Sequence, residues 1–132
     1  MNDQIAPHSL DAEVSVLGSV LIDPNAMARI SDQLLPSGQD FYRSQHGEIY
    51  AAAYNLFKRR EPIDLTLMAD ELRKTGALDR IGGPAYLTHL MNQTPTAVHV
   101  QHYAKIVRDK AGLRRLIEAT PPVDMRGGMG GV

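Results

Sequence analysis

Apolar residues recur at intervals of three and four through nearly all of the chain, and proline or glycine interrupts the pattern repeatedly. This spacing is typical of amphipathic α-helices. The alternation that favours a strand occurs only briefly, at Ile63 and Leu65, and is too short to predict one. The pattern therefore predicts an all-α fold, a compact bundle of about six helices of which the last is long.

Polar and turn-forming residues predict where several of these helices begin and end. Ser9 is placed to cap the first helix, because a serine oxygen accepts backbone N–H groups at that position. Asp23 and Pro24 predict the start of a second helix, and Pro36 its end. Gly76 suits the left-handed residue that follows a helix C-terminus. We therefore expect helices separated by short turns.

The predicted last helix, from about Ala97 to Ala119, is apolar on two opposite sides. The first stripe contains Val100, Tyr103, Ala104, Val107 and Ala111, and the second contains Ile106, Leu113, Leu116 and Ile117. A helix with two apolar sides is either fully buried or lies between two surfaces. Its many charged residues argue against full burial. We therefore expect one stripe to pack on the domain and the other to contact a second helix or subunit.

Composition bounds the class of protein. The chain has 132 residues, 43% of them hydrophobic, which is enough for one compact domain with a core. Its formal net charge is -1, whereas nucleic-acid-binding domains usually carry a basic excess, so we expect protein partners and little direct nucleic-acid binding. Cysteine is absent, which excludes thiolate metal sites and fits the cytoplasm. No signal peptide and no run of the ~20 apolar residues of a membrane span is visible, so no membrane contact is expected.

The composition also divides the chain into three parts. The residues after Ala119 include several prolines and glycines and few side chains that a core would bury, so we expect them to be disordered. We predict a flexible N-terminal segment over residues 1–8, a helical domain over residues 9–119, and a disordered tail over residues 120–132.

Motifs for catalysis are absent from the sequence. No glycine is followed by lysine, so the chain has no G-x-x-x-x-G-K-[ST] loop to hold nucleotide phosphates. His99 and His102 are three residues apart on the last helix, but a metal site needs further ligands, and solvated surface histidines are the favoured interpretation. His46 has no partner or nucleophile evident in the sequence, which predicts a structural or surface role. We expect no catalytic, cofactor or metal site in this chain.

Some charged and aromatic residues leave alternatives open. Asp11 and Glu13 favour the positive end of the first helix. Tyr86 follows a glycine turn, and a core position and an interface position are about equally supported. A basic cluster on the last helix is compatible with a nucleic-acid contact, although a solvated helix face is favoured because acidic residues interrupt it. That cluster consists of Arg108, Lys110, Arg114 and Arg115.

Five segments in a fixed order carry a resemblance to a known family. They are SLDAEVSVLGSVLID, DFYRSQHGEIY, EPIDLTLMADEL, IGGPAYL and NQTPTAVHVQHYAKIVRDKAGLRRLIEA. Together they resemble the N-terminal domain of the DnaB-type replicative DNA helicases of bacteria and phages, over roughly residues 7–119. The resemblance implies a helical head followed by a helical hairpin. In that family the hairpins pair between subunits into a collar of the hexamer, where the C-terminal domain of primase docks, and some members also contact a helicase loader or initiator.

Position by position, the resemblance implies a partner-binding surface. Asp11, Tyr86 and Ile117 match residues of the family's primase-binding surface. Ile106 and Leu113 share the second stripe with Ile117, and we expect these residues at a primase or subunit interface. The family's ATP and Mg²⁺ belong to a separate motor domain that nothing here resembles, so this chain is expected to be non-enzymatic.

The chain also departs from the family pattern. The loop before Asp40 is longer by about two residues, which a surface turn tolerates. A Gly-rich tail stands where the second hairpin helix is expected, which predicts a fragment or a truncated homologue that self-associates through the last helix. The alternative functions are a helical nucleic-acid-binding module, or a stand-alone mimic of the collar that modulates a helicase.

Overall fold

The computed structural model describes residues 5–119, which contain seven α-helices and no strand in that range. The helices are α1 (Leu10–Ile22), α2 (Ala26–Ile30), α3 (Ser44–Lys58), α4 (Leu65–Lys74), α5 (Leu78–Ile81), α6 (Gly83–Asn92) and α7 (Val100–Ala119). The predicted all-α fold is confirmed. The additional helix is α5, a single turn that the periodicity did not separate from its neighbours. The predicted tail, residues 120–132, lies outside the described residues, as do residues 1–4 of the predicted flexible segment.

Helix α1 occupies the centre of the fold and packs against α3, α6 and α7. It begins as predicted, because the Ser9 side chain accepts a hydrogen bond from the Ala12 backbone N–H at 3.2 Å. Gly18 allows the end of α6 to approach closely. A Cβ at this position would lie 2.7 Å from the Leu90 carbonyl oxygen and would overlap the Thr94 side chain. The absence of a side chain at Gly18 therefore sets how tightly α1 and α6 pack.

The second helix is shorter than predicted. Helix α2 ends at Ile30, and turns rather than helix lead on toward Pro36. Asp23 explains the late start, since its carboxylate accepts the Asn25 backbone N–H at 2.9 Å and holds a turn there. The same carboxylate pairs with Arg29 at 3.2 Å. A local hydrogen-bonded turn has thus replaced the first helical turn that Pro24 predicted.

Helix α7 starts later than predicted, at Val100 instead of Ala97. The Ala97 carbonyl accepts hydrogen bonds from the Val100 backbone N–H at 3.2 Å and from Arg29 of α2 at 3.0 Å. The predicted first stripe faces the head. Its buried members are Val100, Ala104, Val107 and Ala111, and Tyr103 beside them is half-buried. These residues pack α7 against α1 and α2. Across residues 5–119, no helix combines the length and apolarity that crossing a bilayer requires.

Candidate functional site

The last two turns of α7 expose large apolar side chains. Leu113 is 49% exposed, Leu116 is 65% exposed and Ile117 is 61% exposed. All three belong to the second apolar stripe. Side chains of this size grouped on one helix end form an apolar patch of the kind that contacts another protein. The structure thus places Leu113 and Ile117 where a partner could reach them.

Ile106, the remaining member of the second stripe, is placed differently. It is half-buried and packs against the core cluster of the head. The second stripe is therefore not exposed along its whole length, and its accessible part begins near Leu113. Any interface that includes Ile106 would contact only the outer part of its side chain.

Two arginines attach this end of α7 to the head. Arg114 donates to the carbonyl oxygens of Pro7 at 2.7 Å and Asp40 at 2.8 Å, and its guanidinium lies 5.5 Å from the centre of the Tyr42 ring. Arg115 pairs with the carboxylate of Asp40, which is 2% exposed. Arg114 is half-buried, which departs from the predicted solvated basic face, whereas Arg115 is exposed as predicted but forms an ion pair. Their guanidinium groups bind the protein itself, and this weakens the case for a nucleic-acid contact.

The residues before α1 also contact this region. The His8 ring stacks on Tyr42 with 3.9 Å between ring centres and an angle of 8° between the planes. Tyr42 thus has His8 and Arg114 as ring neighbours. Pro7 and His8 fall in the segment that was predicted to be flexible, and in the structure they lie against the head. The N-terminal segment, the loop before α3 and the end of α7 meet at one place.

Asp11 and Tyr86 lie on two different helices of the head. Asp11 is exposed in the first turn of α1, as expected of a residue at a helix N-terminus. Tyr86 lies in the first turn of α6, which begins beside Gly82 at a φ of 108°. Its ring is half-buried, and the exposed His89 lies 5.7 Å away between ring centres. Tyr86 therefore packs on the core, and part of its ring is also accessible at the surface.

A buried polar chain joins three helices beneath Tyr86. His46 of α3 is 0% exposed and Glu13 of α1 is 1% exposed. The His46 Nδ1 atom lies 2.7 Å from Glu13 Oε1, and His46 Nε2 lies 2.7 Å from the Tyr86 hydroxyl. Glu13 also accepts the Tyr42 backbone N–H at 2.6 Å. Glu13 lies in the first turn of α1, as predicted, but it is buried and hydrogen-bonded there. Of the two roles predicted for His46, the structural one is correct.

Sequence reasoning missed these buried polar groups, although the sequence carried a signal for them. Glu13 falls on the stripe of Val16, Leu17 and Val20, and it is buried with them. A charged residue at helical spacing within an apolar stripe must be paired when it is buried. His46 and Arg114 show the same pattern on α3 and α7. What the sequence did not supply was the identity of the partners, which are distant in the chain.

The chemistry of this arrangement is structural. A histidine next to a carboxylate resembles part of a catalytic triad, but a general base needs a free nitrogen within reach of a substrate. Both nitrogens of His46 are already hydrogen-bonded, and the ring is fully buried. Within the described range, no group of three or more His, Cys, Asp or Glu residues could hold a metal ion. His99 and His102 are both exposed on the outer side of the domain.

These observations define a helical domain with an exposed apolar helix end on α7 and a half-buried tyrosine on α6. The profile of the DnaB-like helicase N terminal domain matches residues 5–109. The chain belongs to this family, the DnaB-like helicase N-terminal domains, and the resemblance seen in the sequence is confirmed.

Relatives and solved structures agree with this assignment. The chain is 41% identical over 127 residues to "Replicative DNA helicase DnaC" of Bacillus subtilis, covering 96% of this chain and 28% of the relative. It is 40% identical over 126 residues to "Replicative DNA helicase DnaB" of Geobacillus stearothermophilus, covering 96% of this chain and 27% of the relative. The chain thus spans little more than a quarter of the length of these curated relatives.

Two solved structures share the fold. One is the crystal structure of the N-terminal domain of DnaB helicase from Mycobacterium tuberculosis, with a TM-score of 0.82 and 45% identity. That match covers 87% of this chain and 80% of the other. The second is described as the structure of a DnaB-like replicative helicase and its interactions with primase, with a TM-score of 0.70 and 26% identity. That match covers 83% of this chain and 25% of the other.

Proposed function

We propose that this chain is the non-catalytic N-terminal domain of a replicative DNA helicase, which docks primase and takes part in subunit association within the hexamer. The observation that carries the proposal is the apolar end of α7, where Leu113 and Ile117 are about half or more exposed. Family membership supports it, as does the similar helicase whose structure is described together with its interactions with primase.

The docking surface would have two parts. On the head, Asp11 supplies an exposed carboxylate and Tyr86 a half-buried aromatic ring. On α7, Ile117 supplies an apolar contact, and Leu113 extends it by one turn. Half-buried aromatic residues commonly act as anchors at protein interfaces, because their rings bury a large area with few rotatable bonds. The partner on this surface would be the C-terminal domain of primase.

Subunit association would use the same end of α7. Leu113 and Ile117 would pack against a second copy, with Ile106 contributing at the edge of that contact. An exposed apolar helix end favours pairing with another helix, because the pairing removes apolar surface from water. A helicase loader or an initiator would be a further partner of the same head.

Catalysis would belong to another part of the full helicase. The sequence has no phosphate-binding loop, and the chain covers 28% of its Bacillus subtilis relative. ATP and Mg²⁺ would therefore bind in the motor domain of the longer protein. We expect this chain alone to hydrolyse no ATP, and turnover by purified chain in a phosphate-release assay would contradict the non-enzymatic assignment.

Calorimetric titration with the C-terminal domain of primase from the same organism tests the docking function. We expect saturable binding that Tyr86→Ala and Ile117→Ala each weaken. Val98→Ala is the matched control, because Val98 is 66% exposed just before α7 and lies at the other end of that helix from Ile117. It should bind like the wild type. A folded wild-type chain that does not bind primase would contradict the docking function.

Light scattering after gel filtration tests subunit association separately. We expect the wild-type chain to form dimers or larger species at high concentration, and Leu113→Ser with Ile117→Ser to shift it toward the monomer. A chain that stays monomeric over the whole concentration range would contradict self-association through α7. The Tyr86→Ala comparison in the primase titration does not involve α7, so docking on the head is tested separately from self-association.

A further inference from the structure

Tyr86 is anchored from inside the protein. Its hydroxyl lies 2.7 Å from Nε2 of His46, a residue with no exposed surface. On the other side of the His46 ring, Nδ1 lies 2.7 Å from Glu13 Oε1. The three side chains belong to α6, α3 and α1, so one polar chain runs from the centre of the core to the base of the proposed docking surface.

The position of the hydrogen between Glu13 and His46 follows from the other hydrogen bonds of Glu13. Both oxygens of Glu13 accept backbone N–H groups, from Tyr42 at 2.6 Å and from Arg43 at 3.4 Å. The carboxylate therefore acts as an acceptor toward His46 as well, and Nδ1 carries the hydrogen. The other ring nitrogen, Nε2, is hydrogen-bonded to the Tyr86 hydroxyl at 2.7 Å.

This arrangement decides which part of Tyr86 a partner can meet. The hydroxyl points inward and is hydrogen-bonded to the buried His46. At the other end of the side chain, Gly82 packs so closely that a Cβ there would lie 2.9 Å from the Cβ of Tyr86. The tyrosine is thus fixed at both ends. What remains for a partner is the half-buried ring itself, next to the exposed His89.

We propose that Glu13 and His46 are positioning residues for partner docking, which hold the Tyr86 ring in place so that it offers an apolar aromatic contact and not a hydrogen bond. This inference rests on the proposed docking function of Tyr86. The group that meets the ring on the partner is accordingly an apolar side chain. Neither Glu13 nor His46 touches the partner, since both are fully buried.

The expected effect is that of preorganisation. A side chain already held in its bound orientation loses less conformational entropy on binding than a free one. Releasing the Tyr86 ring should therefore weaken binding by roughly 3- to 10-fold, the contribution of one immobilised side chain. Removing the ring altogether should weaken binding further, because the apolar contact is lost as well.

The test is a titration of the full chain with the C-terminal domain of primase from the same organism. Tyr86→Phe keeps the ring and removes only its anchor, so it should bind more weakly than wild type but more tightly than Tyr86→Ala. Tyr54→Phe is the matched control, because it deletes the hydroxyl of another half-buried tyrosine of the head. It should bind like the wild type. Thermal unfolding of each variant separates a loss of folding from a loss of affinity.

Rescue by a conservative variant distinguishes positioning from a general structural role. His46→Gln retains one donor and one acceptor at a similar separation, and it should preserve wild-type affinity. In the Tyr86→Phe background, the same His46→Gln change should have no further effect on binding. If the His46→Gln variant does not fold, the affinity of the Tyr86→Phe variant for primase still tests the positioning role.

The outcomes separate this inference from the docking function. Tyr86→Phe binding as tightly as wild type would overturn the positioning role and leave docking intact. Tyr86→Phe binding as weakly as Tyr86→Ala would mean that the hydroxyl meets the partner directly, which also overturns it. A folded wild-type chain that does not bind primase would overturn the docking function and the positioning role together.

Discussion

The two halves of α7 have the same secondary structure and opposite environments. Over residues 100–111 the helix buries a stripe of small and β-branched side chains against α1 and α2. Over residues 112–119 its large apolar side chains face outward, with Ile117 at 61% exposure. The attachment in this second half is polar, since Arg114 and Arg115 hold it to the head. One helix thus combines a packed half with a half whose apolar surface remains open.

The contrast between the two halves shows how a helix can support a partner surface. Eight residues form too short a helix to be stable alone in water. Here the packed half provides the helical nucleus, and the second half continues it beyond the head. The arginine contacts then fix the direction of the helix end without covering Leu113 or Ile117. An apolar surface is presented to a partner while its own backbone stays ordered.

The greatest change in the free energy of unfolding is expected when the same glycine-to-alanine substitution is compared at two positions, Gly18 and Gly112. Gly18→Ala should destabilise the domain by about 3 kcal/mol, because the new Cβ would overlap Thr94 and crowd the Leu90 carbonyl where α1 packs against α6. Gly112→Ala should instead stabilise it by about 0.5–1 kcal/mol, since nothing lies within 4 Å and alanine favours helix. Urea unfolding monitored by circular dichroism measures both. Effects of equal sign would contradict the contrast between the crowded position of Gly18 and the open position of Gly112.

The next prediction compares how truncating an aliphatic side chain in each half of α7 changes the free energy of unfolding. Val107→Ala should cost about 1–2 kcal/mol, because Val107 is 2% exposed and the truncation leaves a small cavity. Ile117→Ala should change the free energy of unfolding by no more than about 0.5 kcal/mol in the monomer. Unfolding at low protein concentration provides the measurement. A large cost at Ile117 under these conditions would mean that this side chain packs within the head.

Much of the packed half could be predicted from the sequence. The spacing of Val100, Val107 and Ala111 identified the buried stripe, and Ser9 and Gly76 marked helix ends where the structure has them. These features depend on residues close together in the chain, where helical geometry fixes which side chains share a face. The all-α class followed from the same local information.

The polar contacts could not be predicted in the same way. Glu13 and His46 are separated by 33 positions, and Arg114 reaches the carbonyl of Asp40 across 74. Such pairs depend on how the helices pack, which periodicity does not specify. For the same reason, the sequence left Tyr86 between a core and an interface role. The structure gives it features of both, because its hydroxyl is anchored in the core and its ring reaches the surface.

A third effect, similar in size to that of Val107→Ala, concerns the polar attachment of the second half of α7. Arg114→Ala should lower the free energy of unfolding by about 1–2 kcal/mol, because two carbonyl oxygens lose a charged donor. Hydrogen exchange should become faster over residues 112–119 and remain slow over residues 100–111. Arg108→Ala is the control, since Arg108 is exposed on the same helix. Uniform acceleration along α7 would show that Arg114 supports the whole helix and not its end alone.

The smallest changes are expected in Tm when two ion pairs are removed, one in the head and one on α7, and the size of these changes should depend on pH. The hydrogen bond from Arg59, at 2.6 Å, holds the pKa of Glu71 below its usual 4.5, and Lys74 adds to the effect. Because the folded-state pKa is the lower one, ionised Glu71 stabilises the domain above pH 4.5, and this contribution is lost as the pH falls through the folded-state value. Glu71→Gln should therefore lower Tm slightly at neutral pH and have less effect in acid. Lys105 likewise lowers the pKa of Asp109, but both groups are well exposed, so Asp109→Asn should shift Tm even less. A Tm difference between wild type and Glu71→Gln that does not change on acidification would contradict the role of this ion pair in the head.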